Sequence, residues 1–276
     1  MKTSCNQSEF QLAMEAPLCP KLLRSDAIVT QENGWHRTLT PSSPWAADDN
    51  EILFSNLSGD TQEVDACIDS LIDEYHGLGR PIRWCVYPWT YPDDLGQRLI
   101  ERGAERSDVR ALLAPTSLPL EQIEGADIVK VEPNSEDYAA YIELMASGEM
   151  SSGKQLPKDE IDFRSSRYHE LISGPKPVMQ LFLARVEGKA AGCAAVYIKD
   201  NSAWMTGDYV APGFQGRGLF QSLISARLKA LREMNIKFAT GHGRLETSVP
   251  WLIRFGFQSI FPYEIYQINP PLSNQD

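Results

Sequence analysis

The chain has 276 residues, of which 42% are hydrophobic and 23% are charged, an ordinary globular composition that suits two domains. Its formal net charge of −11, with no run of like charges, disfavours binding to nucleic acid or to an anionic membrane. The same charge favours cationic small molecules such as amines as partners.

The cysteines and histidines show no spacing typical of a metal site or a disulfide framework. The five cysteines (Cys5, Cys19, Cys67, Cys85 and Cys193) include no CxxC pair, and the four histidines (His36, His76, His169 and His242) include no HExxH motif. The N-terminus has no apolar run of signal-peptide length, and no later stretch approaches the roughly 18 apolar residues of a membrane span. We therefore expect a cytoplasmic protein with no metal and no membrane segment.

The first half is predicted to alternate strands with helices after an irregular start of 45 residues, which prolines interrupt. A helix is predicted from Thr61 to the glycines of HGLGRP, because apolar residues recur there at helical spacing. A second, short helix is predicted in YPDDLGQRLIERG, capped near Asp93 and ended by Gly103. The predicted strands are AIVTQ, EILFSNL, PIRWCVYP and DVRALLAP, and SLPLEQIEGAD is the predicted linker.

The second half is predicted to contain a β-hairpin followed by further strands and helices. Two apolar runs meet at EGK, which indicates the hairpin turn, and a third strand follows KDNS. Helices are predicted in NSEDYAAYIELMASGEM, GRGLFQSLISARLKALREMN and VPWLIRFG, and strands in IVKVEP and IKFATGHG. SSGKQLPKDEID is predicted to be an exposed polar stretch, and SIFPYEIYQI a terminal strand pair or hairpin.

The two halves share a short, weak sequence similarity, called the internal echo below. RLIERGAERSDVRALLA, from Arg98, and WLIRFGFQSIFPYEIYQI, from Trp251, both carry Leu-Ile, two residues, an aligned glycine and a terminal strand. The aligned glycines are Gly103 and Gly256. So short a match also arises by chance; otherwise it indicates two related domains in tandem.

The sharpest motif is DYVAPGFQGRGLF, from Asp208 to Phe220. A predicted strand ends at Val210, and Pro212 prevents its continuation in a paired position. A tight loop then leads into a helix that begins near Gly218, and its glycines allow bare backbone to approach a ligand. The free amides at the helix start, the helix dipole and Arg217 favour a pyrophosphate there. The alternative is a strand-turn-helix corner that merely uses glycines.

This motif is neither a Walker A loop nor a dinucleotide-binding fingerprint, and it resembles the cofactor loop of the GNAT superfamily of N-acetyltransferases. That loop reads Gln/Arg-x-x-Gly-x-Gly/Ala after a strand ending near V-x-P, and Gln215, Gly218 and Val210-Ala211-Pro212 match it. The predicted order of elements and the Gly256-Phe257 pair match as well. The resemblance covers roughly residues 127–268.

The resemblance implies an α/β (α+β) fold of two GNAT-like domains in tandem, each a mixed, mostly antiparallel twisted sheet flanked by helices. Residues 1–120 would form a degenerate N-terminal domain, and residues 126–276 an N-acetyltransferase domain that binds acetyl-CoA. In the site it implies, Tyr209 and Val210 pair with the pantetheine amides. The pyrophosphate would be held by Gln215, Gly216, Arg217, Gly218, Leu219 and Phe220.

The chain departs from the family pattern at two positions. Phe220 stands where the family's loop ends in glycine or alanine, so the helix start is bulkier than usual. Leu252 stands where the family often places a tyrosine that protonates the leaving thiolate. The first half also lacks a counterpart of the glycine loop, so we expect it to shape a substrate cleft or a homodimer contact and to bind no CoA.

Several side chains are candidates for proton transfer or substrate binding. Asp208 and His242 are candidate bases that deprotonate the amine through water, with a capping aspartate and a surface histidine as the alternatives. The candidate proton donors to the thiolate are Tyr209, Tyr263 and Tyr266, each also explained by packing. Glu143 and Glu149 are candidate anchors for a cationic substrate or ordinary solvated glutamates, and Trp204 and Trp251 are candidate core or cleft walls.

The predicted function is transfer of an acetyl group from acetyl-CoA to the primary amine of a small molecule or to a peptide N-terminus. Transfer would be direct, in a ternary complex, with the Val210 amide polarising the thioester carbonyl. Two alternatives stay open: an acetyl-CoA-binding sensor without catalysis, which the missing tyrosine favours, and an aminoacyl transferase of the tandem GNAT-fold type, which the acidic charge disfavours.

Overall fold

The structure is a computed structural model that describes residues 7–18, 23–147 and 156–271. Within them the first half contains α1 (Gln7–Glu15), β1 (Ile28–Glu32), β2 (Trp35–Leu39), β3 (Glu51–Phe54), α2 (Thr61–Gly77), β4 (Ile82–Val86), α3 (Leu95–Glu101) and β5 (Glu105–Pro115). The second half contains β6 (Asp127–Lys130), α4 (Glu136–Ser147), α5 (Lys158–Ile172), β7 (Met179–Val186), β8 (Lys189–Lys199), β9 (Ser202–Val210), α6 (Leu219–Glu233), β10 (Phe238–Arg244), α7 (Ser248–Arg254) and β11 (Gln258–Ile268). Short 3-10 helices lie at Ala16–Leu18, Ala47–Asp49 and Pro212–Phe214.

The chain divides into two compact units. The larger unit comprises residues 1–20, 111–243 and 248–260, and the smaller unit comprises residues 21–110, 244–247 and 261–276. The predicted domain boundaries, 1–120 and 126–276, stay a prediction. Among the described helices, none combines the length and the apolar character needed to cross a membrane.

The smaller unit is a mostly antiparallel sheet with helix α2 packed on one face. Strands β1, β2 and β3 pair antiparallel in sequence, β3 pairs parallel with β4, and β4 pairs antiparallel with the end of β11. The predicted helix from Thr61 is confirmed, and its buried residues Val64, Ile68, Ile72 and Tyr75 pack into one apolar cluster with Trp84 and Tyr266 of the sheet. Burial of this stripe stabilises the helix on the sheet.

The larger unit repeats the same plan with longer strands. Strands β6, β7, β8 and β9 pair antiparallel in sequence, and β9 pairs parallel with β10. The predicted hairpin is confirmed, with a turn at Glu187 and Gly188, whose φ angles of 51° and 77° suit a two-residue hairpin turn. Helix α6 buries an apolar face that includes Leu223, Ile224 and Leu228. The predicted class of mixed, mostly antiparallel sheets flanked by helices is therefore confirmed.

The internal echo extends to the capping bonds of two helices. At the end of α3, the Gly103 amide donates to Ile100 O at 2.9 Å and the Ala104 amide to Leu99 O at 3.0 Å. At the end of α7, the Gly256 amide donates to Ile253 O at 3.0 Å and the Phe257 amide to Leu252 O at 2.9 Å. Both glycines have positive φ, as this helix ending requires. The aligned Leu-Ile-x-x-Gly segments therefore adopt the same local structure.

Replacing each of these glycines with alanine is expected to destabilise the fold unequally. Gly103→Ala meets open space and should lower the free energy of unfolding by about 1 kcal/mol, because an L-residue is strained at positive φ. Gly256→Ala should cost about 2 kcal/mol, since its φ is +104° and its new Cβ would lie 2.8 Å from Leu118 Cδ1. Chemical denaturation measures both values, and a larger loss for Gly103→Ala would contradict this account.

Four sequence predictions were wrong in detail. The first 45 residues are not irregular throughout, because they contain α1 and β2 as well as β1. Part of the polar stretch after α4 is helical, since α5 begins at Lys158, and its few buried residues left no strong periodic signal. The last segment is one continuous strand, β11, in which Pro262 is exposed. Asp94, and not Asp93, precedes α3, and its side chain makes no capping bond.

Candidate functional site

The centre of the candidate site is a break in the pairing between β8 and β9. The register shifts between Cys193 and Ala195, so β9 carries one extra residue at this point, and Gly207 there has a φ of +64°. Beyond the break, the Ala211 amide donates to Ala191 O at 2.9 Å. Hydrogen-bonded pairs alternate along an antiparallel ladder, so the amide and carbonyl of Val210 point away from β8.

On the other side of β9, the neighbouring strand β10 diverges from it while staying in the sheet. Strand β10 pairs with β9 only from Phe238 to Gly241, opposite residues 202–205. The main-chain groups of Val210 therefore face the gap that opens between β9 and β10. The Gln215 side-chain amide donates to Val210 O at 3.3 Å, which links the loop to the end of the strand.

The loop after β9 ends in a helix start without a side-chain cap. Gly218 is the N-cap residue of α6 with a φ of +75°, and no side chain accepts a hydrogen bond from the first turn. By helix geometry, the first amides of α6 have no acceptor within the helix. The helix start is thus a site for an anion, as the sequence predicts.

A cavity of about 580 Å³ lies directly at this helix start. Six predicted cofactor-binding residues line it: Val210, Gln215, Gly216, Gly218, Leu219 and Phe220. Tyr209 and Arg217 are not among its lining residues. The cavity also has walls that the sequence analysis did not assign to the cofactor: Pro119, Leu120, Phe214, Gln221, Trp251, Arg254 and Phe255.

Two guanidinium groups lie on aromatic rings at the cavity. Arg217 Cζ stands 5.3 Å from the ring centroid of Phe214, and Arg254 Cζ stands 5.6 Å from that of Trp251. Each arrangement holds a cation over a π face while its remaining donors stay available. In a chain with a net charge of −11, this places positive charge where an anionic ligand would lie.

Asp208, a predicted base, is held in an ion pair at the strand break. Its carboxylate accepts two hydrogen bonds from the guanidinium of Arg227 on α6, one of 3.2 Å from Nη1 to Oδ2 and one from Nη2 to Oδ1. Arg227 has no exposed side-chain surface, whereas 27% of the Asp208 side chain is exposed. Burial raises the pKa of the Asp208 carboxyl, and the Arg227 charge opposes that rise.

Two further titratable groups surround Asp208. Burial and the nearby carboxylate raise the pKa of the Cys193 thiol to about 12. Burial also raises the pKa of the Tyr141 phenol, whose hydroxyl is fully buried and has no hydrogen-bond partner among the described residues. Both groups are therefore neutral at neutral pH.

His242, the other predicted base, is engaged elsewhere in the larger unit. Its Nε2 lies 2.9 Å from Ala13 O of helix α1, and since a carbonyl only accepts, Nε2 carries the proton. Its ring packs edge-on against Trp204, with centroids 6.3 Å apart. Only Nδ1 is left with a lone pair, so the tautomer is fixed by a contact from the N-terminal helix.

The position of the family's proton-donating tyrosine is part of the apolar core. Leu252 on α7 is 7% exposed and packs in the cluster that contains Leu223 and Phe257. Of the predicted donors, Tyr209 is half-buried on β9, whereas Tyr263 and Tyr266 are buried in the smaller unit. Burial raises the pKa of both phenols.

The remaining predicted residues are Trp204, Trp251, Glu143 and Glu149. Trp251 lines the cavity, and Trp204 stacks on Tyr197 with ring centroids 5.9 Å apart. Glu143 is exposed on α4. Glu149 lies outside the described residues.

The corresponding helix start in the smaller unit is already occupied by a carboxylate. Asp60 caps α2 by accepting hydrogen bonds from the amides of Gln62 and Glu63, and the Glu63 carboxylate accepts from the Asp60 amide. This capping box satisfies the amides that an anion would need and adds negative charge. In the described parts of the chain, no group of three or more His, Cys, Asp or Glu side chains is arranged to hold a metal ion.

Comparison with known proteins identifies the part of the chain that holds the cavity. Residues 146–257 match the family model described as the acetyltransferase (GNAT) family, whereas no curated protein matches the chain. This match confirms the predicted resemblance for the segment that contains the strand break and the loop.

Solved structures share the fold over most of the chain. A functionally unknown conserved protein from Staphylococcus epidermidis is similar at 11% identity, with a TM-score of 0.68, over 90% of this chain and 96% of the other. A GCN5-related N-acetyltransferase from Kribbella flavida is similar at 14% identity, with a TM-score of 0.60, over 95% and 94% of the two chains. A tandem GNAT protein from the clavulanic acid biosynthesis pathway is similar at 12% identity, with a TM-score of 0.57, over 91% and 85%. These likenesses are consistent with two GNAT-like domains in tandem.

Proposed function

Because residues 146–257 match the family model of the GNAT acetyltransferases, we propose that this chain transfers the acetyl group of acetyl-CoA to a primary amine. Acyl transfer is the chemistry of that family. The observation that carries the proposal is the cavity of about 580 Å³ at the uncapped start of α6, lined by six residues of the predicted loop.

The residues present fit coenzyme A at this site. The amides from Gly216 to Phe220 would hold the pyrophosphate, with Arg217 and Arg254 adding charge. The main-chain groups of Val210, which point away from β8, suit the amides of a pantetheine arm. Phe220, bulkier than the family pattern, lies 5.9 Å from Phe255 between ring centroids, so both rings form a cavity wall.

The acyl transfer would need an activated acyl group, a hydrogen-bond donor to the carbonyl oxygen, a base for the amine and a proton for the leaving thiolate. Acetyl-CoA supplies an activated acetyl thioester. The Val210 amide would donate a hydrogen bond to the carbonyl oxygen on which negative charge develops. Asp208, acting through water, would take the proton that the amine loses as its nitrogen bonds to the acetyl carbon. The C–S bond then breaks, and water or Tyr209 would protonate the thiolate, whose ordinary pKa of about 8 to 9 permits departure without a strong acid.

The net charge supports the proposed acceptor class. With a net charge of −11, the protein attracts cationic ligands, and a small-molecule amine or a peptide N-terminus meets this requirement. An acetyl-CoA sensor without turnover is the second candidate function. It is favoured by Leu252, which is packed in the core at the position of the usual proton donor.

Thiol release from acetyl-CoA in the presence of a panel of amines tests the proposal. Amino acids, polyamines, aminoglycoside-like compounds and peptides cover the proposed acceptor classes. Release that depends on an amine supports the transferase, and tight binding without release from any of them supports the sensor. Absence of acetyl-CoA binding in calorimetry would remove both functions.

The pH dependence of kcat/KM should distinguish the two candidate bases. We expect Asp208→Asn to lower kcat/KM by about 100-fold, since loss of a general base removes at least that factor. We expect His242→Ala to keep the wild-type profile, because the ring is held by its Nε2 bond to Ala13 O and does not line the cavity. The rise in rate between about pH 6 and 9 then follows deprotonation of the amine. A limb near pH 6.5 that disappears in His242→Ala would instead identify the histidine as the base.

A further inference from the structure

Arg227 is a fully buried charge in the middle of the amphipathic helix α6. Its side chain is 0% exposed, and its neighbours on the helix, Leu223, Ile224 and Leu228, belong to the apolar core. A buried guanidinium is costly unless its donors are paired, and an apolar residue of similar volume commonly serves stability as well or better. A requirement other than core packing is therefore expected at this position.

Each contact of Arg227 reaches a different element of the site. Nε donates to Leu223 O of its own helix at 3.1 Å, and Nη1 donates to Ala195 O of β8 at 3.0 Å. Nη1 and Nη2 together bind the carboxylate of Asp208 on β9. Ala195 borders the register break and Asp208 lies within it, so the guanidinium joins both strands where their regular pairing fails.

The same helix begins at the cavity. Gly218 caps α6, and Arg227 follows nine residues later, about 13 Å along the axis at 1.5 Å per residue. Helix α6 therefore carries, at its start, the amides proposed to bind the pyrophosphate. In its middle it carries the Arg227 guanidinium, which bonds to both strands at the register break. The break in turn sets the direction of the Val210 amide.

We propose that Arg227 is a positioning residue for acyl transfer: it fixes the Asp208 carboxylate and the strand break in the geometry that the acetyl thioester requires. It acts through Asp208 and β9 and does not touch the reacting atoms. The inference rests on the proposed function and deepens it, because it joins nucleotide binding and acyl positioning in one helix.

The charges around Asp208 give the proposal a second consequence. The groups that face this carboxylate are Arg227 from α6, the neutral Cys193 thiol from β8 and the neutral Tyr141 phenol from α4. Arg227 lowers the pKa of Asp208 against the effect of burial. Replacing Arg227 with an uncharged residue should therefore raise the pKa of Asp208. The activity should then be lost at a higher pH on the acid side of the pH–rate profile.

The test compares four variants with the wild type. Arg227→Lys keeps the positive charge but loses the planar guanidinium, which can donate two hydrogen bonds to one carboxylate. Arg227→Met removes the charge. Arg227→Met combined with Asp208→Asn removes both charges and remains a folded test if Arg227→Met alone unfolds. The matched control is Arg232→Met, an exposed arginine on the same helix that donates to Thr116 O at 3.1 Å.

Three readouts separate positioning from plain stability: Kd for CoA, kcat with the best amine, and the carbonyl stretching band of bound carbon-13-labelled acetyl-CoA. We expect Arg227→Lys to lower kcat by about 10- to 100-fold, as a displacement of order 1 Å can. Its Kd for CoA should stay near that of the wild type, and its carbonyl band should move towards the value in water. The double variant should bind CoA with a carbonyl band displaced as in Arg227→Lys, and this band is its readout because Asp208→Asn also removes the proposed base. Arg232→Met should match the wild type.

Two results would overturn the inference: a wild-type kcat and carbonyl band in Arg227→Lys, or a parallel loss of CoA affinity and thermal stability that accounts for the whole effect. A wild type that binds no acetyl-CoA would instead refute the proposed function. A wild type that binds without turnover still tests the inference, through the carbonyl band alone.

Discussion

Replacing Gly218 with aspartate is expected to weaken acetyl-CoA binding by more than 100-fold. Gly218 has a φ of +75°, and a Cβ there would lie 2.5 Å from Ile123 Cγ1, so any side chain must displace its neighbour. The aspartate would also place a carboxylate beside the proposed pyrophosphate. At an effective dielectric of about 20, two like charges 4 Å apart repel by about 4 kcal/mol, which exceeds a 100-fold loss even after partial screening.

Gly218→Asn is the matched control for charge. Asparagine has the same shape, tolerates positive φ and meets the same Ile123, so it should weaken binding only by about tenfold. Calorimetric titration of both variants with acetyl-CoA isolates the electrostatic part as their ratio. Equal affinities in the two variants would mean that no phosphate lies at this helix start.

Replacing Val210 with proline is expected to lower kcat by about 100- to 1,000-fold, the usual cost of losing one hydrogen-bond donor to a developing oxyanion. Proline removes the amide hydrogen that faces the gap between β9 and β10. It removes no ladder bond, because the bond to β8 beyond the break comes from the neighbouring Ala211 amide. The Kd for CoA should rise by a smaller factor than kcat falls, since Val210 lines the cavity but the amides of the helix start are untouched.

Val210→Ala is the control for the side chain, because it retains the amide hydrogen and loses only two methyl groups. We expect it to keep kcat within about threefold of the wild type, since only two methyl groups of a partly buried side chain are lost and the amide hydrogen is kept. Steady-state kinetics of both variants, with CoA affinity measured separately, decide the point. A Val210→Pro enzyme as fast as Val210→Ala would remove the Val210 amide from the mechanism.

The structure of the candidate loop after β9 could be predicted because its geometry is set locally. Pro212 ends the strand, Gly216 and Gly218 provide positive φ, and the helix that follows starts without a capping side chain. Six of the eight predicted cofactor-binding residues line one cavity for this reason. The cap on α2 is equally local: Asp60 and Glu63 form the D-x-x-E spacing of a capping box, a signal that the sequence analysis did not use.

The surroundings of the candidate bases could not be predicted, because they depend on contacts distant in sequence. In the sequence, Arg227 looks like any other polar residue of an amphipathic helix. Its pairing with Asp208 depends on the extra residue that β9 carries at the register break. His242 meets Ala13, 229 residues earlier, through a helix in a segment that prolines made look irregular. Trp251 and Arg254 enter the cavity wall only because the short helix α7 presents them there.

The most direct test of the central claim is a crystal structure of the protein with acetyl-CoA. We expect one molecule per chain, with its pyrophosphate on the amides from Gly216 to Phe220 and its thioester carbonyl oxygen within hydrogen-bond distance of the Val210 amide. The start of α2, capped by Asp60, should hold no CoA. An empty cavity at saturating acetyl-CoA, or a coenzyme bound at α2 or elsewhere, would contradict the account.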